Sequence, residues 1–511
     1  MNRDDTIAVE RYKSHIDGAR ASLSEDALAH MKDDFLVDAN FTSHLPIVVI
    51  NTNGNEIERN TTWDSNLGYA VPIPGIDPYA MGTLSVYDQN TGKNSIKDTE
   101  SFISNMMIRR RGNSSMYYEK GQYRIYLRTE SGKDNEVSVM GMGVADEWII
   151  SGPMIDKSQM RNYLAYTLAS EIMPYTPDVR FCEVLFWNGE AYRYEGIYLM
   201  TECIQVDPGF VDIAIDNKYD ATTSYLLRRD RFDPDGAILD TWATQEQLSY
   251  GYLEVRYPKK KALTESLKAF ICDEISLIER ILYSEDPAVF LQYQNYIDVD
   301  SFVDYYLLNE YLTNYDAGYH STYMYNEVGK KLKMGPVWDY DGTLDNYSQE
   351  ELQAHLVGFQ SSPWFDRLTT SKDFAERLES RYMSLRKNVF SDDHVMGIID
   401  ETAAYLGPAI ERDWVRWGHI HRGEVERYAF VDTFEEDTGM PVNRTITTHE
   451  DELLKMKYVL SVHGNALAEN LNNLVAREDL VSMRDNVPMS AIMTVIFIMM
   501  FFSIVMISKR R

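Results

Sequence analysis

Positive charge is scarce in this chain: 50 Lys and Arg stand against 79 Asp and Glu, a formal charge of −29. Phosphate backbones need a basic surface, so no nucleic-acid partner is expected. A small basic pocket for a nucleotide is still compatible with that balance. Cysteine is scarcer still, with Cys182, Cys203 and Cys272 alone. Their spacing fits neither a metal-ligand pattern nor a disulfide framework. One Cys182–Cys203 pair is the most they allow, and two buried thiols are the simpler reading. Internal repeats and low-complexity tracts are absent. What is present excludes disorder: 44% hydrophobic residues, 12% aromatics and 35 tyrosines imply a packed core. The 511 residues suit two or three domains, or one large two-lobed body.

Long apolar runs are also missing, with one exception. Residues 488–507 read PMSAIMTVIFIMMFFSIVMI, uncharged throughout, and Lys509, Arg510 and Arg511 follow. At about 1.5 Å of rise per residue such a run spans the ~30 Å hydrocarbon core, so a single transmembrane helix and a lipid-bilayer partner are expected. The basic tail places residues 1–487 outside the cytoplasm by the positive-inside rule. The first twenty residues contain no apolar signal-peptide core, which leaves two expectations open, a true start further upstream or a cytosolic tail-anchored topology.

Residues 1–44 read as a charged helical lead-in, and 45–215 as a β-rich lobe. LPIVVINTNG and GTLSVYDQNTG suggest a small antiparallel sheet broken by Asn/Gly turns. MMIRRRGNSSMYYEKGQYRIYLR reads strand, loop, strand, with Tyr123, Ile125 and Leu127 alternating against Gln122, Arg124 and Tyr126. A helix is then expected from Asp156 as N-cap, with Gln159 as its capping-box partner. Met160, Leu164, Leu168 and Ile172 form its apolar stripe, and Lys157 and Arg161 are neighbours along the edge. FCEVLFW and AYRYEGIYLM form a hairpin about Asn188–Gly189 that ends at Thr201–Glu202. A catalytic lobe is expected over 216–385, with a second hairpin at 320–338, and a helical extension over 386–487. The class is α+β with two lobes, plus the membrane helix.

The most informative stretch runs over 314–346. HSTYMYN and KLKMGPVW are short strands about a turn near Gly329, so residues near 319 face those near 339. Asp316, Asp339 and Asp341 would then emerge at one open end, a carboxylate group suited to a divalent metal and phosphate. An exposed acidic turn is the plain alternative. Catalytic Asp, hairpin, metal Asp is the order found in protein kinases. Cations for a triphosphate come from the loop Arg111-Gly112-Asn113-Ser114, from Lys120 and Arg124, and from Lys157 and Arg161. Each one taken singly reads as a solvated surface charge. Asp339 to Leu344 also fits the DxDGT phosphatase signature. That chemistry needs a buried parallel strand just before it, whereas KLKMGPVW alternates and contains Pro336.

RGNSS…KGQYRIYL, DEWIISGPMIDKSQMRNYLAYTLASEI, YEGIYLMTE, DYYLLNEYLTNYDAGYHSTYMY and GPVWDYD occur in this order, with PWFDRL and DFAERLESRY after them. Together they resemble the CotH family of spore-coat-protein kinases over about residues 45–385. The resemblance implies an atypical protein-kinase-like fold, ATP with Mg²⁺ or Mn²⁺, and phosphorylation of Ser or Thr in a protein substrate. Carried over by position, Asp316 is the catalytic aspartate and Asp339 the metal ligand, with Asp341 in the same motif. Lys157, Arg161 and Asn162 match the DKS..RN helix, and Glu202 ends the strand near which a kinase hinge holds adenine. Where the family has Lys or Arg soon after TE, this chain has Cys203, Ile204 and Gln205. A kinase-like scaffold without catalysis is the alternative reading.

Overall fold

In the computed structural model the described residues run from 31 to 482, leaving out 32, 65, 68, 90–91, 113, 153, 215–220, 249–250, 315, 347–356 and 422–447. Seven strands form one sheet, β4 alternating between buried and half-exposed residues and β6 and β7 buried along most of their length: β1 (Ile47–Asn51), β2 (Ala80–Tyr87), β3 (Phe102–Arg110), β4 (Tyr123–Arg128), β5 (Glu147–Ser151), β6 (Val179–Trp187) and β7 (Tyr192–Glu202). They join in the order β7-β5-β4-β3-β2-β1-β6, and β6 pairs back onto β7 to close a barrel. A closed ring with an odd number of strands cannot be antiparallel throughout. The single parallel pair is β1 with β6, in register Ile47↔Glu183.

Val48, Leu84, Ile108, Ile125, Trp148 and Met200 fill the barrel interior. Successive strand residues point to opposite faces, so inward Ile108 and Ile125 put Arg109 and Arg124 on the outside, directly opposite each other in the ladder. Helix α1 (Arg161–Ser170) packs on the outer face of β6 and β7, where Tyr163 and Leu164 join Phe181, Ile197 and Leu199 in the larger core. That core continues into a second sheet, order β9-β8-β10-β11, made of β8 (Tyr225–Asp230), β9 (Tyr252–Tyr257), β10 (Thr322–Asn326) and β11 (Lys333–Met334). Around it lie α2 (Glu265–Leu282), α3 (Val299–Tyr311), α4 (Lys372–Leu385), α5 (Asp392–Leu406), α6 (Pro408–His421) and α7 (His449–Val475).

Three expectations change. The α+β class stands, but the expected two-lobed body with a small antiparallel N-terminal sheet is instead built around a closed seven-stranded barrel. Local alternation cannot disclose a parallel pair between strands so far apart in sequence. No helix among the described residues is long and apolar enough to cross a membrane. The longest, α7, has the length but carries Glu450, Asp451, Glu452, Lys455 and Lys457. The run at 488–507 lies outside the described residues, so the expected membrane helix, bilayer partner and single-pass placement have no support. Finally, α1 starts at Arg161 rather than just after Asp156, because the Asp156 carboxylate accepts from the Ser158 and Arg161 amides and holds 156–160 as a turn. Lys157 and Arg161 therefore do not share a helix edge.

Candidate active site

The hairpin of β10 and β11 pairs Met324 with Met334. Continued outward, that register sets the Asp316 loop beside Asp339, and Ser321 Oγ donates to Asp339 Oδ2 at 3.1 Å. The Asp316 loop is held by its own backbone. Its carbonyl accepts from the Tyr319 and His320 amides, the Gly318 amide donates to Thr322 Oγ1 at 2.7 Å, and the buried Arg229 guanidinium donates to the Gly318 carbonyl at 3.1 Å. Gly318 has φ +88°, and a Cβ there would stand 2.5 Å from the Ser362 Cβ. The chain can turn so sharply only at glycine.

Asp339 has φ +67°, a left-handed backbone uncommon outside glycine. Helix α1 holds it there. The Tyr166 hydroxyl accepts from the Asp339 amide at 3.4 Å, and Asn162 Oδ1 accepts from the Tyr340 amide at 2.7 Å. Arg161 Nε donates to the Thr343 carbonyl at 2.8 Å. The Asn346 side chain donates to the Asp341 carbonyl at 2.7 Å and the Ile155 carbonyl at 3.0 Å. The residues that the sequence singled out on this helix thus grip the Asp339–Asp341 loop.

Asp316, Asp339 and Asp341 line one cleft of about 310 Å³. Facing them from the barrel wall are Arg109, Arg111, Gly112 and Arg124. Arg111 lies 5.6 Å from the Trp338 ring centroid and donates to Gln122 Oε1 at 2.8 Å. Gly112 has φ +107°, and a Cβ there would meet Ser115 Oγ at 1.9 Å. Arg124 is paired with Glu147. Like charges directly opposite on adjacent strands destabilise a sheet, so the Arg109–Arg124 pair, with Arg111 beside it, suits an anion in the cleft.

Water reaches the Asp339 carboxylate, yet the group lies deep between the walls. Burial raises its pKa, Arg111 opposes that, and the Asp316 charge raises it further. Asp341 is buried, and its pKa is raised well above the usual range, first by burial and then by Asp339, Asp156 and Asp316. Among the described residues no group of three or more His, Cys, Asp or Glu is placed so that it could hold a metal ion, so the expected three-carboxylate centre is not formed. Magnesium does not need one, since it takes one or two carboxylates and completes its shell with phosphate oxygens and water. Two crowded carboxylates with raised pKa values, opposite arginines, fit such an ion.

Other residues chosen from sequence lie elsewhere. Lys120 is wholly buried, bonded to Asp413 Oδ1 of α6 at 2.7 Å and to Gln159 Oε1 at 2.9 Å. Breaking a buried ion pair costs about 3–5 kcal/mol, so Lys120→Ala is expected to lose stability of that order in chemical denaturation. Nucleotide affinity measured on whatever remains folded should not change. Lys157 is buried among Glu452, Lys455 and Arg161, and its pKa is lowered to about 8, first by burial. Glu202 is a latch inside the fold, accepting from the Gly143 amide at 2.8 Å and the Asp178 amide at 2.9 Å. Asn113 lies outside the described residues, and Ser114 opens a short 3₁₀ turn beside Gly112.

Sequence reasoning missed Arg109, which the alternation that exposes Arg111 would have supplied. It also missed Arg228, Arg231 and Arg256 on the third wall, which the pairing of β8 with β10 on one side and β9 on the other brings to the cleft. The phosphatase alternative fails on geometry. β11, which precedes the DxDGT run, is two residues long and pairs antiparallel at a sheet edge, where that chemistry needs a buried parallel strand. A family model for CotH kinase proteins matches residues 108–447, about two thirds of the chain, and includes both the arginine wall and the carboxylates. No curated protein matches the chain. By that match, the chain belongs to the CotH kinase protein family.

Proposed function

We propose that this protein transfers the γ-phosphoryl group of ATP to a Ser or Thr hydroxyl of a protein substrate, with Mg²⁺ or Mn²⁺ as cofactor. The reading rests on one observation: a single cleft sets Asp316, Asp339 and Asp341 opposite Arg109, Arg111 and Arg124. Family membership supports kinase chemistry in general. Asp339 and Asp341 would hold the divalent ion, which when bound neutralises phosphate charge. Arg111 and Arg124 bind and orient the phosphate chain, keeping their charge at any working pH. Asp316, on the rigid loop after α3, accepts the proton of the acceptor hydroxyl as its oxygen bonds to the γ-phosphorus. The bond from that phosphorus to the bridging oxygen breaks, and ADP leaves. Most of the catalytic effect in such transfer is positioning and charge stabilisation, which a pre-formed loop provides.

The test is incubation of the purified chain with γ-labelled ATP and Mg²⁺ or Mn²⁺, scored for label on protein. Metal-dependent labelling of Ser or Thr is expected. Nucleotide-dependent thermal stabilisation without label transfer would instead favour the binding-only reading.

A further inference from the structure

The matched region ends at residue 447, yet the next helix touches segments that hold the site. Three side chains on the first two turns of α7, spaced three residues apart and hence on one face, each touch an element that sets the metal loop. His449 Nε2 donates to the Ser158 carbonyl at 3.2 Å, in the turn before α1. Glu452 Oε1 accepts from Arg161 Nη2, both side chains being buried. Lys455 Nζ donates to the Asp345 carbonyl at 2.7 Å, four residues past Asp341.

Arg161 is the centre of this arrangement. One nitrogen donates to the Thr343 carbonyl, another to Asp156 Oδ1 at 2.6 Å, and the third to Glu452. An isolated guanidinium in such a buried place would be costly, and Asp156 alone leaves one end of the fork unpaired. Glu452 completes the pairing and fixes the plane of the fork, and with it the carbonyl of Thr343. The Asp339–Asp341 loop needs such external restraint, because its carboxylates repel one another and Asp339 holds a left-handed backbone.

We infer that α7 is a clamp on the metal-binding loop, with Glu452 a positioning residue that acts through Arg161 on Asp339 and Asp341. The assignment of metal binding to that loop rests on the function proposed above, but the clamp itself does not. Two measurements on the full chain separate them. Hydrogen exchange of residues 338–346 reports the loop directly. In Glu452→Gln these amides should exchange at least about tenfold faster, since local opening costs less once a buried contact is lost. Exchange in β3 and β4 should stay as in the wild type. Magnesium titration of nucleotide binding reports the consequence: half-saturation should need about tenfold more metal, the usual scale for losing a group that orients a metal ligand, while metal-free nucleotide binding is unaltered. A general loss of stability would move the barrel amides too.

Lys455→Met serves if Glu452→Gln does not fold, and should speed exchange in the same segment to a smaller degree. Unaltered exchange over 338–346 in the folded variant overturns the clamp, and quickened exchange with an unaltered magnesium requirement overturns Glu452 as a positioning residue for the metal. If exchange quickens as expected but the wild type binds no nucleotide, the clamp stands and the kinase reading falls.

Discussion

Asp316→Asn is expected to leave Mg·ATP bound within a few-fold of wild-type affinity while phosphoryl transfer falls by about 10²–10⁴, the usual contribution of a positioned general base. Asparagine keeps the shape of the side chain, and the hydrogen bonds of the loop run through the Asp316 carbonyl and Gly318 rather than the carboxylate. The site should therefore survive the substitution. Asp339→Asn should behave differently. It removes the negative charge that faces Arg111 and the expected cation, and an amide dipole does not replace it. Metal-dependent nucleotide binding and transfer should both be lost. Calorimetric titration of Mg·ATP and autophosphorylation, run on the two folded variants side by side, make the comparison. Near-normal transfer by Asp316→Asn would remove it from catalysis, and near-normal transfer by both variants would sink the kinase reading.

The two variants also mark how far the sequence could be read. The carboxylates were legible because a hairpin is local: an alternating pattern on each side of Gly329 sets the register, and Met324↔Met334 is the pairing it predicts. The Asn188–Gly189 hairpin was legible for the same reason, with Trp187 opposite Tyr192. The cations were less so. Pattern shows that Lys120, Lys157 and Arg161 are positive, but not that Asp413, Glu452 and Asp156 lie against them, since two of those partners come from helices hundreds of residues later. A lone positive charge reads as solvated or ligand-binding until its partner is known, and a buried pair joining distant segments carries no local signal. Barrel closure was hidden likewise, because it turns on one parallel contact between β1 and β6.

Asp341→Asn is expected to make the metal-free protein more stable at neutral pH and to deprive it of its response to magnesium. Burial and three neighbouring carboxylates raise the Asp341 pKa in the folded state, so folding favours the protonated form. The contribution of this group is fully present below the unfolded pKa, near 3.9. It is lost as pH rises through the folded value. Stability of the metal-free wild type should accordingly fall with rising pH over that window. Asparagine is neutral throughout and escapes that fall. In thermal melts with EDTA the variant should exceed the wild type at about pH 8 by a few degrees, about 1 kcal/mol corresponding to roughly 2–4 °C in a domain of 150–250 residues. The gap should shrink as the pH is lowered towards 4. On the proposed reading magnesium binds the ionised carboxylates, so its stabilising effect on the wild type should grow with pH, reaching about 2.7 kcal/mol at a hundredfold excess over its dissociation constant. The variant should show little of this. If Asp341→Asn is instead less stable than the wild type in EDTA at high pH, the carboxylate is held by partners the fold needs. Its crowding against Asp339 would then be structural, with no poised metal ligand there.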